Sequence, residues 1–197
     1  MAKIVVATGN RGKLGEIRVL LGDCHELIVQ SDLNVPEVPE TGLTFVENAI
    51  LKARNAAQHT GLAAMGEDSG LEVDALAGAP GIFSARYAGP AATDKDNNQK
   101  LLQELGDTSV RTARYRCSAV LMRRAQDPAP LICQGVWEGS IALVPDGNQG
   151  FGYDPLFIPA GSDKTVARMS PAEKNRVSHR ARALDQLARE LDSFIAV

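Results

Sequence analysis

The stretch KIVVATGNRGKLGEIRVLL, residues 3–21, predicts a strand, a turn and a helix in succession. Its first residues are apolar and β-branched, which favours a buried strand. After the glycine-bearing turn, Leu14, Ile17 and Leu21 recur at helical spacing. Helices and strands continue to intermix along the rest of the chain, and this alternation predicts an α/β domain built on a mixed sheet.

Capping signals predict three further helices. Thr44 precedes Glu47 at the spacing of a capping box, and Gly61 stands where a helix would stop. The same kind of start occurs at Thr93, and again at Ser170, which is followed by a proline. A last helix is predicted by an apolar stripe that consists of Leu184, Leu187, Ala188, Leu191 and Ile195.

Two regions are predicted to be divided by turns. Residues 62–66 and 71–76 are apolar or alternating, and the acidic residues between them favour a turn at 67–70. Residues 131–136 and 141–144 are predicted to be two strands around Glu138-Gly139, arranged as a hairpin.

The composition argues against several classes of protein. A length of 197 residues with 44% hydrophobic residues suits one domain or two tightly joined lobes. No apolar run reaches the roughly 20 residues that a bilayer span needs, and the apolar start is too short for a signal peptide. We therefore expect a cytoplasmic protein without a membrane partner. The net charge of -3 argues against a nucleic-acid partner, because such binding relies on neutralising phosphates.

The cysteines Cys24, Cys117 and Cys133 are widely spaced and form no C-x-x-C pair. This predicts free thiols rather than a zinc site or a disulfide framework.

The turn T-G-N-R-G-K at residues 8–13 is similar to a Walker A loop but has a different spacing. Leu14 follows the lysine, so no hydroxyl is present there to hold magnesium. Glycine N–H groups at a helix N-terminus still favour an anion, and Lys13 adds a positive charge. The alternative is an ordinary strand-to-helix turn with a surface lysine.

Two neighbouring carboxylates, Glu67 and Asp68, follow an apolar segment. Magnesium prefers oxygen ligands and commonly takes one or two carboxylates together with substrate phosphates. A carboxylate near such a metal can also orient or deprotonate water. The alternative is a solvated turn. Glu40 is a third candidate acid.

Residues 150–155, G-F-G-Y-D-P, present an aromatic side chain between glycines. Phe151 could stack on a base there, or it could be buried in the core. Residues 174–180, K-N-R-V-S-H-R, place hydrogen-bond donors near a helix start. These donors could bind a base edge, or they could form a solvated basic face.

Six motifs follow one another along the chain. They are T-G-N-x-x-K, E-T-G-x-T-F-x-E-N-A-x-x-K-A, D-S-G-L, G-A-P-G-I-x-S-A-R-Y, G-F-G-Y-D-P-x-F and E-K-x-x-x-S-H-R. In this order the chain closely resembles the inosine triphosphate pyrophosphatase family, also called the HAM1-like or dITP/XTP pyrophosphatase family. The resemblance extends over essentially the whole chain.

The resemblance implies one HAM1-like domain over residues 1–197, with two lobes around an elongated mixed sheet and an active site in a central cleft. It also implies a homodimer that depends on Mg2+. Such enzymes hydrolyse ITP, dITP and XTP to the monophosphate and pyrophosphate, which keeps deaminated purines out of DNA and RNA. The expected partners are therefore nucleoside triphosphates.

At the matching positions, the resemblance makes Asp68 the proton acceptor and a metal ligand, with Glu40 as a second ligand. Glu67 stands where many relatives have Asp, and whether it ligates the metal stays open. The resemblance assigns substrate binding to Thr8, Gly9, Asn10, Arg11, Gly12, Lys13, Lys52, Ser69, Phe151, Gly152, Tyr153, Asp154, Lys174, His179 and Arg180.

Two other functions stay open. The same hydrolysis could act on modified pyrimidine triphosphates, as in Maf-like pyrophosphatases, or the chain could be a nucleotide sensor without catalysis. Donors facing a 6-oxo edge would disfavour adenine, because its amino group would leave them unpaired. Guanine shares the 6-oxo group, so this argument does not account for its exclusion.

Overall fold

The structure is a computed structural model, and it describes residues 1–22 and 25–196. Its strands are β1 (Lys3–Ala7), β2 (Glu26–Val29), β3 (Ala63–Val73), β4 (Thr112–Met122), β5 (Leu131–Ile141) and β6 (Phe157–Pro159). Its helices are α1 (Arg11–Leu21), α2 (Phe45–Thr60), α3 (Asp94–Leu105), α4 (Pro171–Val177) and α5 (His179–Ile195). In the described part of the chain, the strands form one six-stranded sheet in the order β2-β1-β3-β4-β5-β6.

This sheet is mixed, as the sequence predicts. β1 pairs in parallel with β2 and with β3, whereas β5 and β6 are antiparallel. The register aligns Ala7, the last residue of β1, with Gly66 of β3. The turn that follows β1 therefore begins beside the point where β3 continues into Glu67 and Asp68. This register places the candidate phosphate turn, residues 8–13, next to the candidate metal-binding residues Glu67 and Asp68.

The chain folds into two compact units. Unit 1 comprises residues 1–68, residues 117–135 and the chain from Arg180 onward, and unit 2 comprises residues 69–116 and 136–179. The long strands β3, β4 and β5 contribute residues to both units.

The core of unit 1 covers both faces of β1. Ile4 packs with Ile17 of α1 and Leu184 of α5, whereas Val5 packs with Ala56 of α2. A parallel strand that is buried on both sides is expected to be apolar, and β1 is apolar after its exposed first residue, Lys3. The strand–turn–helix prediction for residues 3–21 is confirmed.

The core of unit 2 is built around aromatic side chains. The rings of Tyr115 and Phe157 lie 4.7 Å apart and are tilted by 59°, and Trp137 contacts Phe157 at 5.6 Å. Tilted ring pairs of this kind are favoured by the aromatic quadrupole. Leu71, Leu101 and other apolar side chains complete this cluster.

Small residues let α2 approach β3 closely. Ala49 and Ala53 are fully buried. A Cβ atom placed on Gly66 would lie 2.2 Å from the carbonyl oxygen of Ala49 and 2.7 Å from the amide nitrogen of Ala53. The helix backbone therefore lies against the strand immediately before the acidic residues, where only glycine leaves enough room.

The predicted turn at residues 67–70 is wrong, because β3 runs through it as one strand. Glu67 is only 2% exposed and Asp68 only 5%. Carboxylates can be buried inside a strand when cations from other elements pair with them. Those cations come from positions distant in sequence, so the local pattern of acidic, serine and glycine residues gives no sign of them.

The predicted hairpin at Glu138-Gly139 is also wrong, because β5 is a single strand over this region. Gly139 pairs with Pro159 of β6, and a Cβ at this position would lie 2.3 Å from the carbonyl oxygen of Ile158. This glycine permits the close approach of a neighbouring backbone and does not form a turn.

The predicted helix starts are confirmed. The Thr44 hydroxyl accepts a hydrogen bond from the Glu47 amide, and capping boxes begin α3 at Thr93 and α4 at Ser170.

Cys117 and Cys133 are buried free thiols, whereas Cys24 lies outside the described residues. No helix in the described ranges is long and apolar enough to cross a membrane.

Candidate active site

The turn between β1 and α1 exposes the start of the helix. The Asn10 side chain caps α1 by accepting a hydrogen bond from the amide of Lys13 at 3.0 Å. Gly9 and Gly12 are exposed, and the first turn of α1 holds no acidic residue. Exposed N–H groups at a helix N-terminus favour an anion. Unit 1 therefore has a turn that suits a phosphate.

Glu67 lies at the centre of a buried charge cluster in unit 1. Its Oε2 lies 2.9 Å from Lys13 Nζ, and its Oε1 lies 3.1 Å from Arg180 Nη2. The Cys117 thiol donates to the same Oε1 at 3.2 Å, and Arg180 also pairs with Glu16. Burial opposes ionisation of Glu67, but Arg180 and Lys13 outweigh it and hold the pKa of this carboxyl well below its usual range. Both carboxylate oxygens thus bind cations of the protein.

Asp68 lies beside this cluster and is bound from α2. Lys52 Nζ lies 2.9 Å from Asp68 Oδ1 and 2.6 Å from Glu40 Oε1. The Asn48 amide donates to Asp68 Oδ2 at 3.2 Å. Burial raises the pKa of Asp68, and the nearby Lys52 ammonium only partly offsets this. Asp68 is consequently a more basic carboxylate than an exposed Asp.

Asn48 connects Asp68 to the loop that carries Glu40. It is fully buried, and its Oδ1 accepts a hydrogen bond from the Gly42 amide at 2.9 Å. A Cβ atom placed on Gly42 would lie 2.6 Å from the Cβ of Glu47, so a side chain at this position would collide with Glu47. The sequence did not identify Asn48 as a site residue, although its position one helical turn from Lys52 was a visible signal.

The donor set of Asp68 and Glu40 fits magnesium. Their oxygens both bind the Lys52 ammonium, so the two carboxylates lie close together. Among the described residues, no group of three or more His, Cys, Asp or Glu side chains is placed to hold a metal. Two carboxylates suit Mg2+ when substrate phosphates complete its coordination. Glu67 differs from this pair in its partners, which are Lys13 and Arg180.

In unit 2, Asp154 closes the loop that carries Phe151. Its Oδ2 accepts hydrogen bonds from the Phe151 amide at 3.0 Å and from Lys174 Nζ at 2.7 Å. Lys174 Nζ also lies 4.4 Å from the centre of the Phe151 ring, within the range of a cation–π interaction. A Cβ on Gly150 would lie 2.0 Å from Asp154 Oδ2, so glycine is required there. The Phe151 ring itself is half-buried.

The segment 174–180 is not a solvated basic face. Lys174, His179 and Arg180 are 6%, 4% and 1% exposed, and Arg176 alone of the cations in this segment is exposed. The His179 ring stacks on Tyr115, with centroids 4.6 Å apart and planes 10° from parallel.

The predicted site residues divide between the two units. Unit 1 holds Thr8, Gly9, Asn10, Arg11, Gly12, Lys13, Glu40, Lys52, Asp68 and Arg180. Unit 2 holds Ser69, Phe151, Gly152, Tyr153, Asp154, Lys174 and His179. Tyr153 is 3% exposed and its hydroxyl donates to the carbonyl oxygen of Ser84 at 2.9 Å, so it belongs to the core of unit 2. Glu16 and Asn48 contact site residues in unit 1 but were not predicted.

By its fold this is an α/β protein, and unit 1 has the charged groups expected of a phosphate- and metal-binding site. The chain belongs to the Ham1 family, whose profile matches residues 4–190. The resemblance inferred from the six motifs is thereby confirmed.

Similar proteins cover almost the whole chain. A dITP/XTP pyrophosphatase of Shewanella oneidensis is 57% identical over 95% of this chain and 92% of its own length. One from Thioalkalivibrio sulfidiphilus is 56% identical over 96% of this chain and 98% of its own length. The solved structure of a HAM1 protein from Coxiella burnetii matches with a TM-score of 0.92 at 50% identity, and covers 98% of this chain and 100% of that one.

Proposed function

We propose that this chain hydrolyses non-canonical purine nucleoside triphosphates, namely dITP, XTP and ITP, to the monophosphate and pyrophosphate. The relatives that carry the name dITP/XTP pyrophosphatase are similar over nearly their full length. The observation that carries the proposal is the buried Asp68, which is held by Lys52 and Asn48 and shares Lys52 with Glu40. A carboxylate can accept the proton of an attacking water, and a lysine can stabilise charge on a phosphate.

The phosphate end of the substrate is assigned to unit 1. The turn at residues 8–13 offers backbone N–H groups, and Lys13 and Lys52 offer positive charge. Glu67 orients Lys13 at 2.9 Å, so part of the cost of ordering this side chain is met before substrate binds. Catalysis of phosphoryl transfer consists mostly of positioning and charge stabilisation, which makes these cations central.

Asp68 and Glu40 are the residues that would hold Mg2+. When bound, this ion would neutralise charge on the phosphate oxygens. The proposed chemistry begins with a water molecule, which forms a bond to the α-phosphorus while the bond from that phosphorus to the leaving oxygen breaks. Pyrophosphate leaves, and Asp68 accepts the proton of the water. A carboxylate within reach of the water can act as a general base in this way.

The half-buried Phe151 ring is assigned to the base of the nucleoside. Stacking on an aromatic ring tolerates any base, so Phe151 would contribute affinity without selecting the base. Selection would come from donors that face the 6-oxo edge, and Lys174, His179 and Arg180 are the candidates.

We further infer a homodimer that works in the cytoplasm without a nucleic-acid partner. The motif order of the family supports the dimer, and the net charge of -3 speaks against polynucleotide binding.

Product analysis with ITP, dITP and XTP in the presence of Mg2+ tests the proposal. The expected products are the monophosphate and pyrophosphate. Release of the diphosphate and inorganic phosphate would contradict it, as would binding without turnover. A parallel assay with ATP, GTP and modified pyrimidine triphosphates separates this activity from the Maf-like alternative. Asp68→Asn is the matched inactive control, since it keeps the size and shape of the side chain.

A further inference from the structure

One face of α3 holds Gly152 by both of its backbone groups. The Gly152 amide donates to Asp94 Oδ2 at 2.6 Å, and the Gly152 carbonyl accepts from Asn98 Nδ2 at 2.8 Å. Asp94 and Asn98 are one helical turn apart, so their side chains project from the same face. All three residues belong to unit 2.

The amide of Asn98 has only one orientation that fits this contact. Its Nδ2 donates both to Gly152 and to the carbonyl oxygen of Asp94, at 2.8 and 2.6 Å. Both partners are acceptors, so Nδ2 must face them. Asn98 itself is 7% exposed. A carboxylate at this position would place lone pairs against two carbonyl oxygens.

Side-chain packing gives the loop little support on this side. A cavity of about 760 Å³ lies between α3 and the loop that carries Phe151. Leu102 of α3 and Gly147 and Pro155 of the loop are among the residues that line it. Gly152 has a positive φ of 62°, a conformation that glycine adopts without strain but does not itself enforce. The two hydrogen bonds from α3 therefore fix the backbone beside Phe151.

We propose that Asp94 and Asn98 are positioning residues that hold the Phe151 ring in place for stacking on the base. This inference rests on the proposed function. The N–H of Gly152 belongs to the peptide unit that joins it to Phe151, and its carbonyl belongs to the next unit, so the two bonds restrict the backbone on both sides of Gly152 and thereby the direction of the neighbouring ring. Because stacking tolerates all bases, the pair sets affinity for purine nucleotides in general and not the choice among them.

The kinetic test compares Asp94→Ala and Asn98→Ala with a matched variant of the same helix. For each of the two, we expect KM to rise about three- to tenfold for ITP, XTP and GTP alike, with kcat within about twofold of wild type. Asp94→Asn should recover most of the loss, because its Oδ1 can still accept from Gly152. Asp96→Ala is the control, since it removes the capping box of α3 but does not contact Gly152. An equal rise in KM for Asp96→Ala would overturn the proposal, because the effect would then reflect helix stability.

A double substitution tests whether the pair acts through Phe151. In a Phe151→Ala background, Asp94→Ala should leave KM unchanged, whereas the same fold-increase as in wild type would overturn the proposal.

Amide hydrogen exchange provides a readout that does not depend on activity. Exchange at residues 150–153 should be faster in Asp94→Ala and Asn98→Ala than in Asp96→Ala, and equal exchange in all three would contradict the inference. A wild-type chain without ITP hydrolysis would refute the proposed function instead, and the exchange result would still report on the loop.

Discussion

Lys13 and Glu67 form an ion pair in which Nζ lies 2.9 Å from Oε2, although one belongs to α1 and the other lies inside β3. The carboxylate is almost fully buried and also binds Arg180. Glu67 therefore balances two cations of the protein. Glu67 thus differs from Asp68, whose ion-pair partner is Lys52.

Glu67→Gln should lower the free energy of unfolding by about 3–5 kcal/mol, because it removes a buried carboxylate from Lys13 and leaves Arg180 paired with Glu16 but not with residue 67. Urea denaturation at neutral pH measures this change. Glu26→Gln is the control: its carboxylate forms an exposed ion pair with Lys3, and its loss should cost no more than about 1 kcal/mol. Equal stability of Glu67→Gln and wild type would contradict the assigned role.

Comparison of wild type with Glu67→Gln also gives a prediction for the pH dependence of stability. The pKa of Glu67 is lower in the folded chain than its ordinary value of 4.5, so the unfolded chain binds its proton first as the pH falls. The stability that Glu67 contributes is therefore complete above that value and declines as the pH falls toward the folded pKa. The stability difference between wild type and Glu67→Gln should shrink in acid.

Asp68→Asn should reduce kcat by several powers of ten while the protein stays folded, since each 1.4 kcal/mol added to the barrier costs about tenfold in rate. Burial raises the pKa of Asp68, so its charge destabilises the folded chain at neutral pH. The variant should therefore be at least as stable as wild type in thermal unfolding. Asp74→Asn, at an exposed ion pair with Arg114, should keep full activity. A wild-type kcat in Asp68→Asn at saturating Mg2+ would disprove the assignment.

Lys13→Ala should weaken binding of the triphosphate more than binding of the nucleoside. The reason is the position of Lys13 at an exposed helix start, where an anion is favoured. Calorimetry with ITP and with inosine measures the two affinities, and Lys3→Ala removes an exposed lysine as a control. Equal loss of affinity for both ligands would count against a phosphate role.

Phe151→Ala should weaken all purine triphosphates by similar factors, at about 1–3 kcal/mol for each of them. The measurement is kcat/KM for ITP, XTP, GTP and ATP. Unchanged values for all four would mean that the ring serves packing alone.

Arg180→Ala should narrow the preference for ITP over ATP, because it removes a hydrogen-bond donor and not a flat surface. Arg180 is 1% exposed and pairs with Glu16 and Glu67, so the variant should also lose stability. The kcat/KM ratios must therefore be measured below its unfolding temperature. An equal fall for all four nucleotides would make Arg180 a positioning or phosphate-binding residue and not a reader of the base.

Local signals in the sequence predicted much of the fold. The apolar run before Thr8 and the capping boxes at Thr93 and Ser170 depend on neighbouring residues only, and each was found where predicted. The order of the six motifs identified the family.

The errors arose where a distant contact decides the structure. Glu67 and Asp68 lie in a strand because Lys13, Lys52 and Arg180 neutralise them, and these cations are far away in the sequence. Likewise, Glu16 became recognisable as a site residue only through its contact with Arg180 in the folded chain. A local pattern shows which side chains are charged, but not which charges will meet.

The ion pair of Glu67 and Arg180 joins residues 113 positions apart, and this has a consequence for synthesis on the ribosome. The chain emerges from its N-terminus, so Glu67 leaves the exit tunnel long before its partner. Until Arg180 appears, burying Glu67 would cost much of the hydration energy of a carboxylate. Leu184 and Leu187 of the same helix are also absent from the core until then. Unit 2 ends at His179, one residue earlier, so its whole sequence is synthesised while unit 1 still lacks its last segment. The nascent chain therefore carries an incomplete unit 1 until the segment from Arg180 onward has left the tunnel.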